Sequence, residues 1–193
     1  MANKIKYGIK NVYYAVATLA ANNSATYDTP VALPGAVSLT LDPEGDNNIF
    51  YADNIAYYTS YANNGYSGSL ELALIPDAFR KDVLGEIEDN KDVLVEEQGA
   101  PSVHFALMFQ FEGDVKATRH VMYNCVASRP TTNGSTKEAS IEPQTETINL
   151  TATSIYNAAL DKDIVKARTS DSTDTTSYTG WFTQVYVPTG IST

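Results

Sequence analysis

The side chains that most often carry catalysis are few in this sequence. It holds two histidines, His104 and His120, and a single cysteine, Cys125. A catalytic triad needs a nucleophile, a base and an orienting acid that converge, and no Gly-x-Ser-x-Gly nucleophile turn occurs. Each histidine is interpreted as a half-buried or surface polar residue, and Cys125, within a strand pattern, as a small buried hydrophobe.

Metal and cofactor signals are equally weak. One cysteine and two histidines cannot build a structural zinc site, and Asp42–Asp46 lacks the spacing and closing glutamate of a calcium loop. No glycine-rich phosphate-binding motif is present. We therefore predict no catalytic residue, no cofactor and no metal, and we predict that the chain is not an enzyme.

Composition and charge narrow the class of protein. The 193 residues, 43% hydrophobic and 10% aromatic, fit a folded β-domain, and no apolar run approaches the roughly 20 residues of a membrane span. We expect a soluble chain made in a cytoplasm, with no internal disulfide and no membrane insertion. A formal charge of −10 argues against a grip on nucleic acid. Its local acidic cluster, Glu86 to Glu97 around Lys91, is typical of a solvated helix end and loop.

The pattern along the chain predicts antiparallel strands and one short helix. Phe105, Leu107, Phe109 and Phe111 share one strand face, and Val121, Tyr123 and Cys125 share another. Strands are predicted at 9–17, 36–41, 67–74 (with Leu70, Leu72 and Leu74 on one face), 103–111, 115–127 and 139–153, the helix at about 76–85, a loop at 22–34 and a turn at 42–48. The fold class is a mostly β, antiparallel sandwich or barrel with one short flanking helix, a long hairpin and terminal arms.

A tyrosine-rich segment stands out between residues 48 and 66. It carries Tyr51, Tyr57, Tyr58, Tyr61 and Tyr66 among Asn, Asp and Gly residues. Tyrosine combines a large apolar area with a polar tip, which suits a surface that a partner covers. We interpret this hairpin as a docking surface.

The chain changes character after Asn157. A polar low-complexity stretch, 169–177, leads to an aromatic patch with Trp181, Phe182 and Tyr186. These rings either fold back on their own domain or pack on a neighbour, because exposure to water is costly. We divide the chain into a β-domain at 1–157, with an inserted hairpin at 42–66, and a C-terminal extension at 158–193.

Several segments, in order, resemble the major tail proteins of long non-contractile tailed phages, the phi13-type family. The similar segments cover most of residues 8–153, whereas the part beyond Asn157 is similar only in its Trp181-Phe182…Val185 ending. They are Gly8–Ala15, Tyr51–Asn54, Leu72–Gly85, His104–Phe109, Glu112–Asp114, Arg119–Cys125, Ala127–Pro130 and Glu142–Thr147.

This resemblance implies a tail tube subunit of β-sandwich or β-barrel fold. Such proteins are structural, and they polymerise as stacked hexameric rings around a lumen through which DNA leaves the capsid. The implied partners are other copies of the chain and the tape measure, tail terminator and distal tail proteins. The implied location is the virion tail, or a prophage-derived tail-like particle, assembled in the host cytoplasm.

Within that reading, two sets of residues are candidates for function. Contacts between subunits are expected from Tyr51, Tyr57, Tyr58, Tyr61, Tyr66, Trp181, Phe182 and Tyr186. Acidic side chains facing the lumen, where they would repel DNA phosphates, are expected among Glu71, Glu142 and Glu146. The alternative is a carbohydrate-binding or adhesion β-sandwich, in which the tyrosines and Trp181 would stack on sugars.

Overall fold

Short antiparallel strands form most of the ordered structure. The computed structural model describes residues 3–136 and 143–191. The strands are β1 (Lys6–Leu19), β2 (Ala25–Tyr27), β3 (Val31–Ala32), β4 (Ala36–Glu44), β5 (Asn47–Ala52), β6 (Ile55–Tyr61), β7 (Gly65–Leu72), β8 (Ile87–Glu88), β9 (Leu94–Val95), β10 (Phe105–Gly113), β11 (Thr118–Ala127), β12 (Glu146–Thr153), β13 (Ile155–Asn157), β14 (Lys162–Ile164) and β15 (Lys166–Arg168). The helices are α1 (Asp77–Asp82), α2 (Thr175–Thr179) and a 3₁₀ turn at Gly180–Phe182.

One nine-stranded antiparallel sheet organises the chain. Its order is β2-β1-β10-β11-β12-β7-β4, with β3 beside β1 and β15 beside β11. The pairs β5–β6, β8–β9 and β13–β14 form three separate two-stranded ribbons. The predicted antiparallel β-domain with a short helix near 76–85 is thereby confirmed.

The two central strands, β10 and β11, are buried on both faces, and each face belongs to a different core. The first core lies against α1 and the second against the C-terminal segment. The first core contains Tyr14, Leu33, Leu70, Leu72, Ile75, Phe79, Phe105, Leu107, Phe109, Met122, Cys125, Ile148 and Leu150. The second core contains Ala15, Ala106, Met108, Val121, Tyr123, Ile155, Trp181 and Val185. A strand buried on both faces is apolar at nearly every position, which the run 105–109 shows.

A bulge in β11 changes which face its side chains occupy. Phe105 pairs with Cys125 and Leu107 with Met122, so β11 uses three residues where β10 uses two. The extra residue reverses the alternation. The prediction that Cys125 shares a face with Val121 and Tyr123 is therefore wrong, because Cys125 lies in the first core and the other two lie in the second.

The long strand β1 bends to follow the whole length of β10. Its 14 residues include Gly8 and Asn11 at φ +58° and +51°, and its register with β10 shifts after Tyr7 and after Lys10. Such irregularities increase strand bending and twist. They allow β1 to pair with β10 along most of its length and also to pair with β2 and β3.

Helix α1 closes one end of the first core. Phe79 packs edge-to-face between Tyr14 and Phe105, with ring centroids 5.0 and 5.7 Å apart. The Tyr14 hydroxyl donates to Asp82 Oδ2 at 2.8 Å, and Gly85 ends the helical segment at φ +73°. The sequence signals that predicted this helix, an early Pro76 and a terminal glycine, lie where they were expected.

Three boundary predictions are wrong. The 22–34 loop contains β2 and β3, which pair with β1. The turn placed at 42–48 is strand as far as Glu44, because β4 is an edge strand and an edge tolerates Pro43. Leu74 lies beyond the end of β7 and is 69% exposed, unlike the buried Leu70 and Leu72. The residues 139–142 of the predicted strand 139–153 lie outside the described residues.

The C-terminal segment folds back onto the sheet. Trp181 is buried in the second core, and its Nε1 donates to the carbonyl of His120 at 3.3 Å. Asp174 caps α2 by accepting from the Ser177 amide at 2.9 Å. This helix was not predicted because its sequence, Thr-Thr-Ser-Tyr-Thr, has low helix propensity, and the Asp174 cap was its one clear signal.

Two tyrosines of the second core differ in the hydrogen bonding of their hydroxyl groups, and this difference can be tested by substitution. The buried Tyr123 hydroxyl has no hydrogen-bond partner within the described residues, whereas the Tyr27 hydroxyl donates to the Tyr123 carbonyl at 3.0 Å. Because an unpaired buried donor carries a desolvation cost, we expect Tyr123→Phe to leave the free energy of unfolding unchanged or raise it by about 1 kcal/mol. Tyr27→Phe should lower it by about 1 kcal/mol. Urea unfolding measures both, and a larger loss for Tyr123→Phe than for Tyr27→Phe would contradict this account.

Candidate assembly surface

The tyrosine-rich segment forms an isolated hairpin of β5 and β6. Its tip is the two-residue turn Asp53-Asn54, both at positive φ, +51° and +60°. Positive φ at both central residues matches the twist of a hairpin, and Asp and Asn tolerate that conformation. The hairpin hydrogen-bonds as its own two-stranded sheet, separate from the nine-stranded one.

Glycines mark the base of the hairpin, where it leaves the main sheet. A Cβ on Gly45 would lie 1.8 Å from the Ala62 carbonyl oxygen, and one on Gly65 would lie 2.0 Å from the Ala152 carbonyl oxygen. Only glycine permits the backbone at each of these positions to approach its neighbouring segment so closely. Across this joint, the amides of Ala62 and Asn64 still donate to the carbonyls of Asp46 and Glu44. The hairpin thus continues the β4–β7 ribbon.

Large apolar side chains on the hairpin are exposed. Tyr61 is 77% exposed and Tyr57 is 69% exposed. The sequence prediction omitted the aliphatic and phenylalanine members, whose signal was their place beside the tyrosines in the same two strands. The exposed set is Ile49, Phe50, Tyr51, Ile55, Tyr57, Tyr58 and Tyr61. A cluster of exposed large apolar side chains on one short hairpin is typical of an interaction site.

Tyr66 differs from the other four tyrosines of the segment. It lies in β7, half-buried against the first core, with the Lys166 ammonium 4.2 Å from its ring centroid. The structure therefore groups four of the predicted tyrosines on the hairpin and places Tyr66 at the end of the first core. Its contact with another subunit stays a prediction.

The three C-terminal aromatic residues are packed within the chain. Phe182 stacks on Tyr13 at 4.9 Å between ring centroids, and Trp181 stacks on Tyr186 at 5.1 Å. Arg119 holds the segment, because its guanidinium lies 3.9 Å from the Tyr178 ring centroid and donates to the Tyr178 carbonyl. Of the two placements that the sequence left open, the structure shows the folded-back one. A further contact of Trp181, Phe182 or Tyr186 with a neighbour stays a prediction.

The acidic candidates do not share a surface. Glu71 lies on the face of β7 opposite the first core and accepts from Ser38 Oγ at 2.8 Å and Thr145 Oγ1 at 2.7 Å, which lowers the pKa of its carboxyl, mainly through the Thr145 bond. Glu146 lies on the core side of β12, where it pairs with Arg80 at 2.7 Å and accepts from the Ile75 amide. Glu142 lies outside the described residues.

At the end of the first core remote from α1, a cavity of about 220 Å³ opens between the strands. Its walls combine leucine, methionine and aromatic side chains with polar groups, and lysines lie at its rim: Lys6 is 4.7 Å from the Phe111 ring centroid, and Lys166 lies over Tyr66. We call Lys6, Lys166, Arg168 and this cavity the cationic mouth. The cavity is lined by Lys6, Leu39, Leu41, Tyr66, Phe109, Phe111, His120, Met122 and Lys166.

His120 lies within the cationic mouth and stacks on Phe109 with ring centroids 5.1 Å apart. Burial, and then the positive charges of Arg168, Lys166 and Lys6, lower its pKa from 6.5 to about 4. Sequence reasoning missed this cluster because its cations come from β1 and β15, which are about 160 residues apart in the chain.

The candidate nucleophile and metal ligands are not arranged for chemistry. Cys125 is fully buried, and burial raises the pKa of its thiol to about 12. His104 Nδ1 lies 2.7 Å from Asn124 Oδ1 in a polar contact beside the start of β10. Within residues 3–136 and 143–191, no three His, Cys, Asp or Glu side chains gather closely enough to hold a metal ion.

Comparisons with known proteins identify no family. No family model and no curated protein matches the chain. Among solved structures, a chain from the cryo-EM structure of the anti-feeding prophage (AFP) baseplate, six-fold symmetrised, aligns over 89% of this chain and 99% of its own, with 10% identity and a TM-score of 0.46. A likeness of this size decides neither fold nor function. Among the described residues, no helix is long and apolar enough to cross a membrane.

The depressed pKa of His120 predicts a pH-dependent stability. Because the unfolded chain binds the imidazole proton more tightly, His120 contributes stability that is fully present above about pH 6.5 and is lost as the pH falls towards 4. We expect a loss of about 2 kcal/mol across that window, allowing for the partial exposure of the ring. Chemical unfolding at several pH values should show a shallower slope for His120→Gln than for wild type. An unchanged slope would contradict the assignment, whatever the absolute stability of the variant.

Proposed function

We propose that this chain is the structural subunit of a phage-type tail tube, which assembles into stacked hexameric rings that conduct DNA. The observation that carries the proposal is the β5–β6 hairpin, on which four tyrosines, a phenylalanine and two isoleucines are exposed, distributed over its two faces. The ordered sequence resemblance over most of residues 8–153 supports the same reading.

The hairpin has a physical need for a partner. An isolated two-stranded ribbon is only marginally stable in water, and burying one large apolar side chain contributes about 1.5–3 kcal/mol. The main sheet gives the hairpin a fixed base at Gly45 and Gly65 but covers none of the exposed aromatic rings. A second copy of the chain would supply the missing cover.

The contact that we propose is heterologous. The hairpin of one copy meets a different surface on the next, and such a contact closes into a ring or repeats along an axis. Strand β4 ends the order of the main sheet and is the proposed pairing strand between neighbours, which would hide an edge prone to aggregation. The proposed β4 pairing, which would close a ring, and the proposed contact of the hairpin with the next copy are two separate contacts.

The face of β4, β7 and β12 that is turned away from the first core is the proposed lining of the lumen. Its side chains are mainly serine, threonine and asparagine, its charged members are Asp42, Glu44 and Glu71, and the described strands β4, β7 and β12 place no lysine or arginine on it. Cross-strand rows place Ser38, Glu71 and Thr147 together, then Thr40, Ser69 and Asn149, then Asp42, Ser67 and Thr151. Proteins gain affinity for DNA when Lys and Arg neutralise phosphates and release the counterions condensed on them. A face without Lys or Arg would therefore let DNA slide past without binding.

The position of Glu146 changes the proposed role of this residue. Its charge is offset by Arg80 beneath α1, on the core side of β12. Of the three predicted lumen carboxylates, Glu71 is the one whose described position supports the proposal. The proposal also names partners and a location. The partners are the tape measure, tail terminator and distal tail proteins, and the location is a virion tail or tail-like particle.

The carbohydrate-binding alternative is weakened by one observation. Trp181, the ring best suited to stack on a sugar, is 2% exposed. The hairpin tyrosines would have to bind sugar on an exposed two-stranded ribbon, whereas small-molecule sites are usually concave and largely formed in advance. Binding of the purified chain to a glycan array, with no polymer formed, is the result that would favour this alternative.

Removal of the hairpin tests the proposal directly. Deleting residues 48–63 should abolish the rings or tubes that wild type forms in negative-stain electron microscopy over a concentration series, because the apolar contact is lost. The deletion should leave a cooperatively folded monomer, since both cores lie elsewhere in the chain.

A milder variant pair controls for the deletion. Tyr61→Ser should raise the concentration needed for assembly about tenfold, in keeping with the loss of roughly 1.5 kcal/mol of apolar burial. Tyr7→Ser changes an exposed tyrosine of β1, outside the hairpin, and should assemble as wild type does. Normal tubes from the 48–63 deletion, or a wild-type chain that stays monomeric at every concentration, would overturn the proposal.

A further inference from the structure

Two surfaces at opposite ends of the first core have complementary chemistry. The first is the cationic mouth. The second is the acidic ribbon, residues 86–97, which contains β8, β9 and the turn between them. Helix α1 leads directly into the ribbon, and salt bridges from Lys81 to Glu88 at 2.7 Å and from Arg129 to Glu96 at 3.0 Å hold it at the α1 end.

The ribbon presents acidic and apolar groups together. Ile87, Val93 and Val95 are each at least half exposed. Asp89 shapes the turn by accepting from the amides of Lys91 and Val93. No ion pair of Asp92 or Glu97 is found among the described residues, so both charges remain available at the ribbon surface.

The cationic mouth offers positive charge and a cavity, which complement the acidic and apolar groups of the ribbon. Its cavity has leucine and aromatic walls, and its volume of about 220 Å³ suits one aliphatic side chain better than a ligand-sized pocket of about 300–1,000 Å³. In the part of the chain that the structure describes, Lys6, Lys166 and Arg168 form no ion pair with a carboxylate. The chain has a net charge of −10, yet three cations lie around this one cavity without a carboxylate partner among the described residues.

The geometry points to a head-to-tail contact in which the acidic ribbon of one copy docks on the cationic mouth of the next, with Val93 in the cavity and Asp92 beside Lys166. This inference rests on the proposed self-association and names its axial contact. Strand β10 separates the two surfaces: Phe105 touches α1, and Phe111 lines the mouth. Copies that repeat along the strand direction therefore bring the ribbon end of one to the mouth end of another.

The hairpin tip is the competing occupant, since Asp53 is also acidic. The hairpin, however, leaves the main sheet at the mouth end of its own subunit, because Glu44 and Gly65 end the β4–β7 pair beside Tyr66. A head-to-tail repeat turns the hairpin and the mouth of one copy towards the same neighbour. The hairpin would then pass along that neighbour's side while the neighbour's ribbon fills the mouth.

Charge reversal with compensation tests the contact. Lys166→Glu should raise the concentration needed for stacking about tenfold, because an attraction becomes a repulsion. Lys162→Glu makes the same change at an exposed position of β14 and should stack as wild type does. Two further changes, Asn90→Lys and Asp92→Asn, make the turn of the ribbon cationic. Asparagine at position 92 still tolerates the φ of +60° found there, so these changes should restore the ability of the Lys166→Glu variant to stack.

Cysteine pairing gives a readout that does not depend on tube images. A chain with Lys6→Cys and Val93→Cys should form a ladder of covalent oligomers under mild oxidation, because each copy offers two different ends. The pair Lys162→Cys and Val93→Cys is the matched control and should give no ladder. The native Cys125 is buried and does not compete.

The outcomes separate this inference from the proposed function. Wild-type tubes that persist unchanged in Lys166→Glu, or a ladder from the control cysteine pair as strong as that from Lys6 and Val93, would overturn the ribbon-to-mouth contact while leaving tube assembly standing. Rescue of Lys166→Glu by Asp53→Lys in place of the ribbon changes would assign the mouth to the hairpin and overturn the ribbon as its occupant. A wild-type chain that never associates would overturn both.

Discussion

The double burial of β10 and β11 is the constraint on which the rest of the structure depends. A sheet with both central faces apolar needs two covers, and the chain supplies α1 for one face and the segment after β15 for the other. The bulge in β11 lets the strand serve both, because it reverses the alternation between Met122 and Cys125. Arg119 then fixes the second cover by contacting Tyr178 and Phe182.

Stability and assembly are consequently located in different parts of one ribbon. The β4–β7 portion buries Leu70 and Leu72 in the first core, whereas the β5–β6 portion beyond Gly45 buries almost nothing. Changes in the hairpin are therefore expected to have little effect on folding. The separation also explains how the fold tolerates seven exposed large apolar side chains on the hairpin: the well-buried sheet supplies the stability, and the proposed partner would cover the rings.

Sequence reasoning succeeded where a pattern is local. The period-two alternation of Ile148, Leu150 and Ala152 and the helix signals around Pro76 and Gly85 each depend on near neighbours, and each was found. It failed where the outcome depends on distant contacts. The burial of Trp181 beside β11 and the meeting of Lys6 with Lys166 at His120 follow from contacts between segments far apart in the chain. The bulge in β11 is set by its register with the neighbouring strand β10, which simple period-two alternation does not predict.

The distribution of charge follows from the same topology. Antiparallel strands place the chain's basic strand ends, at Lys6 and at Lys166 to Arg168, around one end of the first core, and the loop after α1 places the acidic ribbon at the other. A subunit with unlike ends favours open, repeating association over closed pairing of two like surfaces, because like ends repel. The hairpin adds apolar area to that directional preference. In the proposed assembly, charge would select which ends meet, and the exposed aromatic rings of the hairpin would add apolar contact with a neighbour.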